Sequence, residues 1–419
     1  MLPLHRARAL PSALRSFRVE TPTLIHADVF LSRLRTQGYE LFVGVPCSYL
    51  TSLIDAAIAS PEVAYIGATN EGDALAVACG AELAGLKSMV LFQNSGLGNA
   101  VNPLTSLTDT FRIPVLLLTT WRGDPLEAPD EPQHEVMGRI TPRLLELLGV
   151  PWETLPDEEP ELGPALERAR TYMECERKPY ALVAKKGAFS RGPGPARTGA
   201  RGAGPARAAA AAGEDEDPGQ REPAPSAARA LQPVLAPDDV LAMVRSAVPD
   251  TDAVLATTGF TGRALYAQGD RPSHLYMVGS MGCLSSLALG VAKARPERRV
   301  VALDGDGAML MRMGALATLA YERPPNLVHV LLDNGVHDST GAQATVSPSV
   351  DLAAIASAAG YPRVLRVESL DELRAALLDR RPCLTFLHVR TSPRVDRKLP
   401  RPTIRPYEVA ERFRAWIRG

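Results

Sequence analysis

Hydrophobic positions follow two alternating patterns along residues 23–190, and the same patterns return along residues 236–392. Short runs of β-branched and aliphatic residues, bounded by glycine, proline or polar residues, are typical of buried strands. Between these runs lie longer stretches in which apolar residues recur with helical spacing. Strands that alternate with helices indicate a parallel, doubly wound sheet. The pattern therefore predicts an α/β protein with two doubly wound parallel-sheet domains.

The predicted elements can be placed along each domain. In the first domain the strands are 39–43, 63–66, 88–92, 114–119 and 180–184, and the helices are 26–36 and 73–84. In the second domain the strands are 254–257, 299–304, 327–332 and 384–389, and the helices are 285–295 and 308–321. Open α/β sheets bind ligands at the carboxyl ends of their strands. We therefore look for chemistry directly after strands 299–304 and 327–332.

Three further segments differ in composition from the two domains. Residues 191–235 are rich in alanine, proline and glycine and cannot bury enough apolar surface to offset their ordering entropy, so we expect a disordered linker. Residues 1–22 carry four arginines before their first acid. They lack the apolar core of a secretory signal, and we interpret them as a disordered extension or the product of an early start codon, with a targeting peptide as the alternative. Residues 393–419 are assigned to a basic C-terminal tail, and the stretch 392–405 is either disordered or folded back over a negatively charged substrate.

Composition narrows the class of protein. Hydrophobic residues make up 46% of the 419 residues, which is enough for substantial cores. Lys and Arg number 46 against 47 Asp and Glu, so the balance does not indicate a nucleic-acid partner. No apolar run approaches the roughly 18 residues that span a bilayer. The five cysteines are scattered and form no CxxC pair, which is typical of reduced cytosolic thiols and predicts a cytoplasmic protein.

The most informative polar residues follow the two strands at 299–304 and 327–332. The triplet at 305–307 reads Gly-Asp-Gly, and Asn334 follows the second strand. A carboxylate oxygen of Asp306, an amide oxygen of Asn334 and the backbone carbonyl of Val336 form a ligand set that suits Mg²⁺ better than zinc. A dinucleotide fingerprint would need a third glycine at position 310, which is Leu310, so NAD binding is not predicted. An ordinary acidic loop is the remaining alternative.

The spacing of these residues resembles the diphosphate-binding signature of thiamine-diphosphate enzymes. In that signature a GDG triplet precedes an asparagine pair by one helix and one strand, and the first asparagine of the pair is replaced here by Asp333. The resemblance implies thiamine diphosphate and Mg²⁺ as cofactors. It also implies that one domain binds the pyrimidine ring and that the other binds the diphosphate.

The same resemblance assigns further cofactor-binding residues. Glu71 matches the family's glutamate, whose protonated carboxyl hydrogen-bonds the pyrimidine ring. This hydrogen bond promotes removal of a proton from the coenzyme. Gly279, Ser280 and Met281 match a turn whose large side chain wedges the coenzyme into a bent shape. The diphosphate end is expected at Gly305, Asp306, Gly307, Ala308 and Asn334. A carboxylate at the start of a helix and a core methionine are the plain alternatives for Glu71 and Met281.

Several motifs narrow the resemblance to the phosphonopyruvate decarboxylase branch, of the kind found in phosphonate-antibiotic pathways. The motifs lie at 44–50, 70–72, 93–99, 122–123, 130–134, 185–187, 257–259 and 332–341. The similarity covers residues 25–190 and 235–405. Two positions depart from many members: Cys47 stands where they carry Asp, and Phe260 stands where they carry Lys.

The resemblance implies decarboxylation of a 2-oxo acid that carries a phosphonate, in a homodimer or larger homo-oligomer with active sites at the chain interface. Glu71, Ser48 and His337 are the expected catalytic residues. Because the substrate carries two anionic groups, its pocket needs cationic and amide donors. The expected substrate-binding residues are Gln93, Asn94, Arg122, His134, Lys185, Lys186, Arg263 and His337.

Three alternatives differ in their chemistry. A sulfopyruvate decarboxylase would use nearly the same site, and relative kcat/KM for the two acids distinguishes them. A carboligase similar to acetolactate synthase would need a middle domain that the segment 191–235 cannot supply. A thiamine-binding regulatory protein without turnover is the third alternative, and it predicts the loss of Glu71 or Asp306, both of which are present.

Overall fold

A computed structural model of the protein describes residues 25–190, 234–395 and 399–419. The predicted extension 1–22 and residues 191–233 of the predicted linker lie outside the described residues. Residues 234 and 235, also assigned to the linker, belong to the second domain, because Leu235 forms a β-bridge with Thr391.

The first domain is a six-stranded, fully parallel sheet in the order β3-β2-β4-β5-β7-β6. Its strands are β2 (Tyr39–Gly44), β3 (Ala64–Gly67), β4 (Lys87–Phe92), β5 (Leu116–Thr120), β6 (Trp152–Thr154) and β7 (Tyr180–Ala184), and the short strands β1 (Ile25–His26) and β8 (Phe189–Ser190) pair separately. Its helices are α1 (Ala27–Thr36), α2 (Thr51–Ala59), α3 (Glu71–Ala84), α4 (Leu97–Pro103), α5 (Glu135–Leu147) and α6 (Glu159–Glu176), and α4 continues into a π-helical stretch at Leu104–Asp109.

The second domain repeats this architecture, with a parallel sheet in the order β10-β9-β11-β12-β16-β15. Its strands are β9 (Ala253–Ala256), β10 (His274–Tyr276), β11 (Val300–Gly305), β12 (Leu327–Asp333), β15 (Arg363–Val367) and β16 (Thr385–Arg390), with a small hairpin of β13 (Val336–His337) and β14 (Gln343–Ala344). Its helices are α7 (Pro237–Ala247), α8 (Phe260–Ala267), α9 (Leu284–Ala294), α10 (Asp306–Met311), α11 (Gly314–Glu322), α12 (Leu352–Ala359), α13 (Leu370–Leu378) and α14 (Pro406–Arg418). The prediction of two doubly wound parallel-sheet domains is confirmed.

Two local predictions are wrong. The helix expected over 308–321 is two helices, α10 and α11, because Arg312 leaves the helical conformation at φ −133° and ψ 50°. Its guanidinium donates to Asn70 of the first domain at 2.6 Å, so a contact between the domains accompanies the break. Residues 406–418 of the expected basic tail form α14, which buries Val409, Ala410, Phe413 and Ile417. Arg397 and Lys398 of that tail lie outside the described residues.

Helices α3 and α9 lie side by side at the centre of the protein, and nearly all of their residues are buried. They pack very closely, since a Cβ on Gly80 would lie 2.0 Å from the Leu287 carbonyl oxygen and one on Gly290 would lie 1.9 Å from the Val77 carbonyl oxygen. The helices run in the same direction, so their first residues meet at one end of the interface. Among the described residues, none of the helices is both long and apolar enough to cross a bilayer.

Candidate active site

The amino ends of α3 and α9 bring the two domains together. The sulfur of Cys283, just before α9, lies 4.0 Å from the carbonyl oxygen of Gly72 in the first turn of α3. A second contact lies nearby, where the Ser106 hydroxyl is 2.7 Å from the Ser280 hydroxyl and accepts from the Ser280 N–H at 2.9 Å. These contacts place the start of α3, which begins at Glu71, beside the turn that contains Met281, within one chain.

Glu71 is held at the start of α3 by its neighbours. The side chain of Asn70 caps the helix by accepting from the Gly72 N–H at 2.8 Å. The half-buried Glu71 carboxylate accepts from Asn99 at 2.7 Å. It also lies against Gly96, where a Cβ would be 2.1 Å from Oε1, so only glycine leaves room for it. Asn99 and Gly96 lie in the quoted stretch 93–99, but nothing local in the sequence marks them as partners of Glu71.

The turn at residues 279–282 has an unusual backbone. Ser280 has φ +50° and Gly282 has φ +88°, and a non-glycine residue in this region is uncommon. A Cβ on Gly279 would lie 2.6 Å from the Ser106 Cβ, so the turn also approaches the first domain closely. Met281 lines two cavities, one of about 380 Å³ between the domains and one of about 90 Å³ beside the end of β11. This position is compatible with the expected wedge.

The expected metal ligands surround the smaller cavity. Gly305, Asp306, Gly307, Ala308, Asn334 and Val336 all line it. Asp306 is only 3% exposed, and burial, together with the charge of Asp333, raises the pKa of its carboxyl. The side chain of Asn334 is oriented by donation to Asp338 at 2.7 Å and by acceptance from the Val336 N–H at 3.1 Å.

Thiamine diphosphate and Mg²⁺ fit these residues. A buried carboxylate whose charged form is disfavoured gains from a bound cation, and carboxylate, amide and carbonyl oxygens are ligands that Mg²⁺ accepts. Asp306, Asn334 and the Val336 carbonyl are therefore the residues that would hold the metal.

Asp333, which replaces the first asparagine of the signature pair, is linked to Asp306 by buried hydrogen bonds. Its carboxylate accepts from Ser347 at 2.9 Å and lies 2.9 Å from Nε2 of His388. The Ser347 N–H in turn donates to the Thr345 hydroxyl at 3.3 Å, and that hydroxyl donates to Asp306 at 2.5 Å. Sequence reasoning missed Thr345, Ser347 and His388, because they lie on separate segments with no motif that joins them.

His337 packs against the Gly-Asp-Gly turn. A Cβ on Gly307 would lie 2.5 Å from Cε1 of His337, so the glycine is required for the ring to sit there. His337 lines the same small cavity as Asp306, with Phe260 and Arg394 on other parts of its wall. The structure thus places His337 beside the Gly-Asp-Gly turn, and its expected role toward the substrate stays a prediction.

Arg122 belongs to an ion-paired group in the first domain. Its guanidinium donates to both oxygens of Asp130, at 2.9 and 2.7 Å, and lies 5.0 Å from the ring centre of Tyr49. These hydrogen bonds lower the pKa of Asp130 well below its usual range. Gln93 lies at the edge of the group, 3.5 Å from Arg122. The side of the Arg122 guanidinium that faces Gln93 therefore makes only this long contact.

Asn94 has a different role from the one expected. It is fully buried, its amide nitrogen donates to the Arg122 carbonyl and to Thr141 at 3.0 Å each, and its oxygen accepts from the Arg122 N–H at 3.2 Å. The amide is used within the protein, so the expectation of direct substrate contact is corrected to a role in positioning Arg122.

The remaining expected residues are dispersed. Lys185 pairs with Asp124 at 3.3 Å and with Glu127 at 3.6 Å, and Lys186 is exposed. His134 is buried and packs near Gly123. Ser48 is exposed on a single 3₁₀ turn, and Arg263 lies 5.6 Å from the Phe260 ring. Of these, only Arg263 stands beside a residue of the small cavity.

Comparison with known proteins agrees with this architecture. The N-terminal TPP binding domain of thiamine pyrophosphate enzymes matches residues 26–140, and the C-terminal TPP binding domain matches residues 258–384. A solved structure of benzoylformate decarboxylase from Polynucleobacter necessarius superimposes with a TM-score of 0.66 at 16% identity, over 88% of this chain and 99% of that one. At that identity the likeness supports the fold alone.

Curated relatives are similar over nearly their whole length. Phosphonopyruvate decarboxylase from Streptomyces viridochromogenes is 43% identical over 94% of this chain and 95% of its own. The enzyme of the same name from Streptomyces hygroscopicus is 42% identical over 93% and 94%. Sulfopyruvate decarboxylase from Methanosarcina acetivorans is 31% identical over 91% of this chain and 95% of its own.

Proposed function

The chain belongs to the thiamine pyrophosphate enzyme family, and we propose that it decarboxylates 3-phosphonopyruvate to phosphonoacetaldehyde and CO₂. The identity of 43% over 94% of the chain to a phosphonopyruvate decarboxylase is the observation that carries this proposal. The position of Glu71, Met281 and Asp306 around one interdomain region supports it.

The reaction breaks the bond between the carboxylate and the keto carbon and consumes one proton. When bound, thiamine diphosphate supplies the sink for the electron pair that this bond releases. Asp306, Asn334 and the Val336 carbonyl would hold its Mg²⁺. The Gly-Asp-Gly turn and Met281 would fix its orientation, which lowers the barrier by positioning the reacting groups.

Glu71 has the position of a proton-handling group. One of its oxygens, Oε2, accepts from Asn99 at 2.7 Å, which leaves Oε1 as the oxygen that can carry a proton. Gly96 keeps space beside that oxygen. We assign Glu71 to hold a proton at Oε1, which it would share with the aminopyrimidine ring when thiamine diphosphate is bound.

The substrate brings a carboxylate and a phosphonate, which both need donors. Arg122, Gln93 and His337 are the donors that we assign to it, because Arg122 and Gln93 face each other and His337 lines the cofactor cavity. His337 is also a candidate proton donor to the former keto carbon, and Ser48 is the second candidate. The oligomer is proposed to be a homodimer or a higher homo-oligomer with active sites at the chain interface.

A sulfopyruvate decarboxylase is the second candidate, favoured by the 31% identity to the Methanosarcina enzyme over 95% of its length. The test measures CO₂ release from phosphonopyruvate, sulfopyruvate and pyruvate, with and without thiamine diphosphate and Mg²⁺. We expect kcat/KM to be highest for phosphonopyruvate and to vanish without the cofactor. A higher kcat/KM for sulfopyruvate would replace the proposed substrate, and release without the cofactor would overturn the mechanism.

A further inference from the structure

A third cavity, of about 360 Å³, lies far from the candidate active site. It opens at the amino ends of the first sheet, where β2 and β4 begin and β5 is about to begin, whereas the active-site loops follow the carboxyl ends. Its wall includes Glu82 near the end of α3, the last turn of α6 and two arginines of α14. Because α3 has 14 residues, its two ends are separated by about 20 Å.

Cationic side chains dominate the wall of this cavity. They are Lys87, Arg170, Arg177, Arg414 and Arg418, against the two carboxylates Glu82 and Glu174. Arg170 is already paired with Glu167 and with Glu174 at 2.8 Å, and Arg418 donates to the Glu82 carbonyl oxygen at 2.7 Å. The cavity therefore retains a positive excess after its internal pairs are counted.

Arg414 is the most unusual of these residues. It is only 7% exposed, and its Nε and Nη2 are buried without a hydrogen-bond partner among the described residues. Burial and the neighbouring charges of Arg177 and Arg418 lower the pKa of Arg414 to about 10. Leaving a buried charged donor unsatisfied is costly, so a structure that keeps one needs an explanation.

Arg177 adds a third buried donor. Its Nε also lacks a partner among the described residues. The residue ends α6 in the left-handed conformation at φ 56°, a position that glycine usually occupies. A strained backbone position that carries a cavity-lining arginine points to a use for its side chain.

We propose that this cavity binds a small anion with a phosphate group. The three unsatisfied nitrogen atoms belong to two guanidinium groups, which bind phosphate oxygens strongly and with directional hydrogen bonds. Inorganic phosphate or a phosphate monoester offers at least three terminal oxygens to these nitrogen atoms, whereas a carboxylate offers two. The volume is in the range of small-molecule sites, so it accepts an organic phosphate as well as inorganic phosphate.

The experiment titrates the full chain, saturated with thiamine diphosphate and Mg²⁺, with inorganic phosphate at constant ionic strength and follows heat release by calorimetry. The saturating cofactor keeps phosphate out of the diphosphate site. We expect millimolar phosphate to bind, with chloride giving no comparable signal. Arg414→Gln should raise the Kd for phosphate about tenfold through loss of a charge-assisted contact. Arg33→Gln, an exposed arginine on α1, is the matched control and should leave the Kd unchanged.

A second variant keeps the test decisive if Arg414→Gln folds poorly. Burial raises the pKa of Glu82 to about 7, so at pH 8 this carboxylate is mostly ionised and opposes the anion. Glu82→Gln can still accept from the Ser88 N–H, which bonds Glu82 at 2.8 Å, and should tighten phosphate binding at pH 8. Absence of phosphate binding in the unmodified chain would overturn the proposal. Binding that neither Arg414→Gln nor Glu82→Gln alters would place the anion elsewhere and would overturn it as well.

Discussion

The hydroxyl of Thr345 donates to Oδ2 of Asp306 at 2.5 Å. The Ser347 N–H donates to the same hydroxyl at 3.3 Å, and the Ser347 hydroxyl donates to Asp333, whose carboxylate lies against His388. The proposed metal ligand Asp306 is therefore oriented by a buried chain of hydrogen bonds that begins at His388 on β16. Residues of this kind usually matter for metal affinity nearly as much as the ligands do.

Replacing Thr345 by valine should weaken Mg²⁺ binding by about tenfold, because Asp306 loses the donor that orients it. The measurement is the Mg²⁺ dependence of thiamine diphosphate binding, followed by calorimetry. Thr345→Ser retains a hydroxyl and should bind Mg²⁺ almost as the unmodified protein does. Equal Mg²⁺ affinity in the valine and serine variants would show that the hydroxyl has no such role.

Replacing Glu71 by glutamine should reduce kcat by at least about a hundredfold, because a positioned acid or base contributes roughly 10²–10⁴ to the rate. Coenzyme affinity should change little, since glutamine retains a hydrogen-bonding group of the same size. Steady-state kinetics and calorimetric titration with thiamine diphosphate separate the two effects. Full activity in Glu71→Gln would remove this residue from the mechanism.

The sequence predicts elements whose signal is local. Strand β7 begins and ends where the apolar run at 180–184 does, and the Gly-Asp-Gly turn follows β11 as expected. The end of α10 at Arg312 was missed, because it accompanies a contact with Asn70, which is 242 residues away in the chain. Helix α14 was missed because its basic residues obscured the apolar spacing of Val409, Phe413 and Ile417.

The residues of the candidate site also divide into those with a local sequence signal and those without one. The residues that approach the cofactor-binding regions, such as Glu71 and Asp306, stand in short motifs. Those that orient them, such as Asn99 and Thr345, come from other segments and depend on the folded geometry. The side chains assigned to the substrate stay a prediction, since a sequence does not show that Lys185 is paired with Asp124 or that the Asn94 amide is hydrogen-bonded within the protein.

Close packing of α3 against α9 predicts that alanine is not tolerated at Gly80. The added Cβ would lie 2.0 Å from the Leu287 carbonyl oxygen, so the helices must separate, and we expect a loss of roughly 1–3 kcal/mol or more in unfolding free energy. Urea denaturation measures this loss. Gly163→Ala in α6 is the matched control: its Cβ meets nothing within 4 Å, and it should be neutral or stabilise by up to about 1 kcal/mol. A Gly80→Ala protein as stable as the control would contradict the observed packing.

Arg312 and Asp73 form an ion pair between the two domains. Removing one partner should lower the unfolding free energy more than removing both. Their charged atoms are 3.5 Å apart, and burial raises the pKa of Asp73 to about 6 despite the guanidinium. Arg312→Met should destabilise the protein by about 3 kcal/mol, because it leaves the carboxylate buried without its partner. Adding Asp73→Asn should recover part of that loss. Urea denaturation of the four proteins of this double-mutant cycle measures the coupling, and additive losses would argue against it.

Acid sensitivity should depend in part on His274. Burial lowers its pKa from 6.5 to about 4, and its Nδ1 lies 3.0 Å from the Tyr276 hydroxyl. Between these pH values the unfolded chain binds a proton that the folded protein resists, so the contribution to stability is fully present above pH 6.5 and is lost as the pH falls through about 4. A shift of this size corresponds to a contribution on the order of 3 kcal/mol. His274→Asn keeps a hydrogen-bonding group near Tyr276 without a titrating ring, so its unfolding free energy should fall less between pH 6.5 and 4 than that of the unmodified protein. The His26→Asn variant, at an exposed histidine, serves as the control. If the unfolding free energy of His274→Asn falls as steeply between pH 6.5 and 4 as that of the control, the acid sensitivity belongs to other groups.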